Sequence, residues 1–228
     1  MQLAFAFTLA LAMSGGSTLP APAPITSSLA PDPASRLRIL VRVDVDAAVR
    51  DVAIADVIME IRRVWTPYID LEFVDAADIV ESIHDDDVRL FITNQARKPA
   101  ADNPYALGWI TFPERGRPSN IVTVSAGAAR HLRARGDWRG WRLSEAPGSV
   151  QTRFLNRALG RSAAHEIGHY LLRSPAHAGW GLMRAQMSAD DIMNDDRSLV
   201  RLEAAGAAQL EPRVWLAQAG SSIAKDRS

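Results

Sequence analysis

His165 and His169 stand four residues apart, with Glu166 beside the first, in a stretch that reads as helix. At 3.6 residues per turn the two imidazoles point about 40° apart, so both reach one small centre from the same helix face. Leu159, Ala163, Ile167, Tyr170 and Leu171 fall on the opposite side at helical spacing. One face of this helix is therefore expected to pack a core while the other lines a cleft. Ser149 is the expected N-cap, and Ala163, Ala164 and Gly168 are small enough for close neighbours. Ser174-Pro175 must then end the helix and turn the chain back, and His177 follows two residues later. Of the five histidines in the chain, three lie in this one segment. Three imidazoles with one open position make the donor set of a catalytic Zn2+, and Glu166 stands where a carboxylate can deprotonate a water at the metal.

The run from His165 to His177, followed by Gly181-Leu182-Met183, resembles the metzincin clan of zinc endopeptidases. That clan shows HExxHxxGxxH and then a tight turn carrying a methionine beneath the metal. The resemblance implies that His165, His169 and His177 bind one catalytic zinc, that Glu166 is the catalytic general base and acid, and that Met183 is the turn methionine. It also implies a peptide or protein substrate. The chain departs from the pattern in three places. Leu172 stands where the clan has its glycine, the last histidine comes two residues later than usual, and Ala185 occupies a place where some members carry a tyrosine.

The 228 residues suit one domain with a sizeable core. Lys+Arg and Asp+Glu balance at 26 each, so no net field points to nucleic acid or an anionic membrane as partner. Arg130, Arg133, Arg135, Arg139 and Arg142 do cluster around Trp138 and Trp141; they read as a solvated loop whose tryptophans cover hydrophobic surface. The absence of cysteine excludes disulfides, a thiolate nucleophile, a cysteine latch and a lipoprotein anchor. Met1 to Met13 is an apolar run too short to span a membrane and is followed by small residues. It reads as a signal peptide over residues 1–16, leading to a secreted or periplasmic protein with no stable membrane anchor. Residues 17–36 read as a flexible lead-in.

Residues 37–228 are then the zinc peptidase domain, with its cleft between 37–172 and 173–228. Arg38–Asp46, Asp70–Asp75, Val88–Asn94, Leu107–Phe112 and Asn120–Ala126 read as strands, and Ala47–Trp65 as a helix. Ala76–Asp87 is an acidic connection with room for one helical turn. The expected fold is α+β: a metzincin-like single domain with a twisted, mixed five-stranded sheet backed by helices, an active-site helix and a small C-terminal subdomain. By its order, Leu107–Phe112 is the edge strand against which a peptide would lie antiparallel. Ser188 is an expected N-cap with Asp190 and Asp191 in the first turn; a last helix instead starts near Ser198 and runs through Ala208, and the end from Gln209 on is peripheral. His84 and His131 read as surface residues. A monomer is expected, and nothing in the sequence indicates a structural Ca2+.

Two other readings stay open. In one, Asp190, Asp191 or Glu203 supplies the third ligand, as in gluzincin- or aspzincin-like hydrolases, and His177 is a loop histidine. In the other, the chain is a secreted binding protein with a structural or vestigial zinc site. Glu166 counts against the second, because a structural site needs no base.

Overall fold

A computed structural model describes residues 38–75, 87–96, 106–113 and 117–210, all within the unit Asp32–Ser228. The expected signal peptide, the lead-in, the acidic connection up to residue 86 and His84 lie outside the described residues. Among those described, no helix is long and apolar enough to cross a membrane.

Alternation of apolar and polar residues sets the sheet. Strand β1 (Arg38–Val45) turns Ile39, Val41 and Val43 inward, β3 (Val88–Thr93) does the same with Val88, Leu90 and Ile92, and β5 (Ile121–Ser125) with Val122 and Val124. With β2 (Asp70–Asp75) and β4 (Gly108–Ile110) they form one five-stranded sheet in the order β2-β1-β3-β5-β4. The first three pairings are parallel, and β4 is antiparallel to β5 at the edge. This is the mixed α+β architecture expected, with β4 in the expected edge position but shorter than Leu107–Phe112.

Helix α1 (Ile54–Trp65) connects β1 to β2 and buries Val57, Ile61, Val64 and Trp65. Each large side chain so buried contributes roughly 1.5–3 kcal/mol from apolar surface alone. The helix starts seven residues later than the expected Ala47. Asp46 accepts a hydrogen bond from the Ala48 N–H and ties down the preceding loop. The helix start itself is held from afar, since Asn156 accepts from the Ala53 N–H and donates to Asp56.

Helix α3 (Gly148–Leu172) carries the paired histidines and is 25 residues, about 38 Å, long. It begins one residue before Ser149, after Pro147, and no side chain caps it. Most of its second half is buried, the histidine-bearing side as well as the packing side, with Tyr170 and Leu172 half-buried. Arg161, itself buried, donates to Glu60 of α1 at 2.8 Å and to the backbone carbonyls of Asn194 and Asp191. One guanidinium thus ties three segments together. Losing one member of such a buried pair costs about 3–5 kcal/mol.

The segment expected to be an arginine-rich loop is mostly ordered structure. Ala126–Arg135 is helix α2, capped by Ser125, with Ala126, Ala128 and Ala129 buried. Asp137–Trp138 (β6) and Trp141–Arg142 (β7) form a two-residue hairpin. His131 is half-buried on α2. Ser188 caps the short helix α4 (Ala189–Met193) as expected, in a reciprocal capping box with Asp191. Arg197–Val200 is a 3₁₀ turn, and residues 204–210 are helical, which splits the last helix read from Ser198. Leu210 is buried in the core, so the expected peripheral end does not begin at Gln209.

Candidate metal centre and active site

His165 and His169 are 8% and 4% exposed, and Glu166 between them is 7% exposed. Their imidazole rings lie 4.7 Å apart at 84°, and the two Nε2 atoms face each other at 3.0 Å. Each Nδ1 is committed elsewhere. That of His165 lies 2.8 Å from the Leu182 carbonyl oxygen, and that of His169 lies 2.7 Å from the Ser174 carbonyl oxygen. A carbonyl oxygen only accepts, so both Nδ1 atoms must carry hydrogen, and in the neutral rings both Nε2 atoms are bare lone pairs.

Two lone pairs aimed at each other across 3.0 Å repel unless positive charge lies between them. A proton is disfavoured, because burial holds His165 down to about 4 and lowers His169 as well. A metal cation fits. Two nitrogens bound tetrahedrally to zinc at about 2.0–2.1 Å stand about 3.3 Å apart, close to the separation found here.

The chain brings in the third histidine through a helix end of defined type. Arg173 is left-handed, with φ 48 and ψ 39. Its N–H reaches the Tyr170 carbonyl, and the Ser174 N–H reaches that of His169, which is the Schellman pattern. The metzincin resemblance set a glycine turn at Leu172, but the left-handed position is Arg173, one residue on. This reversal both orients His169, through the Ser174 carbonyl, and returns the chain across the helix. His177 is exposed, and its ring lies 5.3 Å from that of His165 and 5.0 Å from that of His169. One ligand nitrogen from each of the three falls within 4.8 Å of the others.

Below them, the loop Ala178–Arg184 closes on itself through the Ala178 N–H to Met183 carbonyl bond, with Gly181 at φ +73. Leu182 and Met183 are buried. A Cβ at position 168 would overlap the Met183 sulfur, so Gly168 is what admits the methionine under the helix. The Leu182 carbonyl that orients His165 belongs to this same turn.

Glu166 faces the sheet edge. Burial pushes its carboxyl up to about 8, partly offset by a hydrogen bond from the Ile110 N–H of β4. Gly108 lets that strand approach, since a side chain there would meet Ser162 and Glu166. The Phe112 ring stands edge-on to His169 at 6.4 Å. The sequence places Leu107–Phe112 at the substrate edge but does not single out Gly108, Ile110 and Phe112 as neighbours of Glu166 and His169; the glycine inside a strand pattern was the available signal of close approach.

The acidic alternatives have other work. Asp190 accepts from the Arg139 N–H, Asp191 is held by Ser188 and lies 2.7 Å from Arg184, and Glu203 accepts from the Trp180 N–H. Among the described residues, the three histidines are the cluster with metal-binding geometry.

No protein-family model matches the chain, and no curated protein matches it. Among solved structures it is similar to archaemetzincin from Methanopyrus kandleri, at 13% identity and a TM-score of 0.47, over 79% of this chain and 97% of that one. It is also similar to a zinc-dependent peptidase from Methanocorpusculum labreanum strain Z, at 15% identity and a TM-score of 0.48, over 75% and 99% respectively.

Proposed function

We propose that this chain is an exported zinc-dependent endopeptidase, with His165, His169 and His177 as metal ligands and Glu166 as the catalytic base and acid. The observation that carries the reading is the pair of Nε2 lone pairs converging at 3.0 Å while both Nδ1–H groups are held by carbonyls, with a buried carboxyl alongside. Zinc held there supplies Lewis acidity, polarising a substrate carbonyl and acidifying water.

The remaining chemistry belongs to side chains. Glu166 takes the proton of the attacking water and delivers it to the departing amine. Its burial beside the histidines keeps bulk water from competing for that proton. Among the described residues β4 pairs within the sheet only with β5, and outside the Ile110 N–H that Glu166 takes, its outer edge is the side along which an extended peptide would lie antiparallel. Such main-chain pairing suits an endopeptidase of broad sequence tolerance. Residues 1–16 act as the export signal, and the working unit is a monomer.

The deciding experiment is metal analysis of the purified protein together with cleavage of an unstructured peptide mixture, with and without chelator. One zinc per chain and chelator-sensitive cleavage at internal bonds are expected. Metal-free protein that cleaves normally would overturn the proposal.

A further inference from the structure

The arginine-tryptophan segment is not absorbed by the metal site. Trp138 packs partly against the core, as the sequence suggested, whereas Trp141 is 74% exposed. The two face each other across the hairpin, joined by Arg139 and Gly140 at φ 52 and φ 80, both positive as in a type I′ turn. A Cβ added at Gly140 would meet nothing within 4 Å, so the turn projects into open space. The projection is nevertheless anchored. The Leu143 N–H bonds the Gly136 carbonyl at 3.0 Å and closes its base, buried Leu143 follows, and the Arg139 N–H reaches Asp190. The Arg139 guanidinium lies over the Trp138 ring at 5.0 Å. Arg142 is exposed next to Trp141 with Asp137 as its cross-strand partner, and Asp190 is the carboxylate that reaches the turn from outside the hairpin.

A fixed, convex tip that shows an indole, with one guanidinium over the neighbouring Trp138 ring and another on the next residue of the strand, narrows the partner. So small a projection falls short of a stable protein interface, which takes about 800 Å² from each side. It forms no groove for a peptide. A flat anionic surface fits: indole settles at the headgroup level, where its apolar body and polar N–H are both satisfied, while arginines draw toward lipid phosphates. We propose that the β6–β7 hairpin docks this protein peripherally on anionic lipid membranes, with Trp141 as the inserted residue and Arg139 and Arg142 as its electrostatic guides. The zero net charge of the chain is no obstacle, because screening limits the interaction to charges within about 10 Å of the surface.

The test uses the full chain and vesicles of phosphatidylcholine with or without phosphatidylglycerol, read by flotation. The parent should bind the phosphatidylglycerol vesicles, and less so as salt rises. Trp141→Ala should weaken that binding at least tenfold, and the double variant Arg139→Asn, Arg142→Gln should weaken it similarly. An asparagine ahead of Gly140 keeps the turn while removing the charge. Both variants should retain the parental melting temperature and zinc content, since neither touches the histidine cluster. Three outcomes would overturn the proposal: no binding by the parent, binding unchanged in both variants (which would assign it to another segment, such as the apolar N-terminus), or hairpin-dependent binding to heparin or single-stranded DNA but not to vesicles.

Discussion

Two of the three histidines and the third are held in opposite ways. His165 and His169 sit on one buried helix, are spaced by its period, and have each ring fixed by a backbone carbonyl. His177 is exposed, on a return loop, and its position relative to the others comes from a helix-ending turn. The helix pair is preorganised by secondary structure; the loop histidine completes the set through the path of the chain. Periodicity can supply two ligands in line, but a third corner of a tetrahedron must come from elsewhere in the fold.

The largest expected effect isolates the carboxyl from all three ligands. If Glu166 moves protons and does not hold the metal, as proposed, Glu166→Gln should lower turnover roughly 10²–10⁴-fold while zinc stays bound. Loss of zinc from this variant, with activity lost only in parallel, would place Glu166 among the ligands instead.

Next, His169→Ala and His177→Ala test whether the rigid and the loop-borne residues are equal partners. Each should weaken zinc roughly 10²–10³-fold in a competition titration, a share of the total binding energy of such sites. Asp190→Ala and Asp191→Ala should keep their zinc and lose at most about 2 kcal/mol of stability. Parental zinc affinity in His177→Ala would break the comparison at its weaker arm.

The third effect concerns protons in the metal-free chain. Glu166 is raised from 4.5 to about 8, so the folded state binds its proton more tightly than the unfolded chain. The stability this confers is complete below about 4.5 and is lost as pH rises through about 8. His165 has the opposite sign: lowered from 6.5 to about 4, its contribution is present above 6.5 and lost as pH falls through about 4. Between about pH 7 and 8 the glutamate dominates. Denaturant unfolding of chelated protein should show stability falling across that interval in the parent and not in Glu166→Gln. A flat parental profile there would mean that the carboxyl is already ionised.

Smaller again, Gly168→Ala should cost about 1–3 kcal/mol by driving a methyl into the Met183 sulfur, and Met183→Ala should relieve part of that cost. Additive losses in the double variant would separate the turn from the helix. The smallest effect has the opposite sign. Arg173→Gly should stabilise the protein by about 1 kcal/mol, because a left-handed backbone at φ 48 strains any residue with a Cβ. An unchanged denaturation midpoint would show that the strain is absorbed elsewhere.

What could be read from sequence follows the range of the interactions involved. The strands announced themselves by alternation, and His165, Glu166 and His169 by helical spacing, all within a few residues. Helix α2 did not, because its inward face is made of Ala126, Ala128 and Ala129, with too little bulk to mark a period. The true start of α1 was equally hidden, since the side chain that satisfies Ala53 is Asn156, on another helix. Likewise the contact between Glu166 and Ile110 exists only once β4 lies beside α3. The left-handed Arg173 escaped notice because glycine is the residue that usually marks such a position.

The carbonyls of Ser174 and Leu182, both downstream of the motif helix, steer the two helical imidazoles. For anyone wishing to transplant this centre, the five-residue motif is therefore an incomplete part. Grafted alone onto a host helix, it would carry two histidines with free choice of tautomer and rotamer. The smallest portable unit runs from the helix through Met183, and a host must accommodate that whole reversal before it can inherit the chemistry.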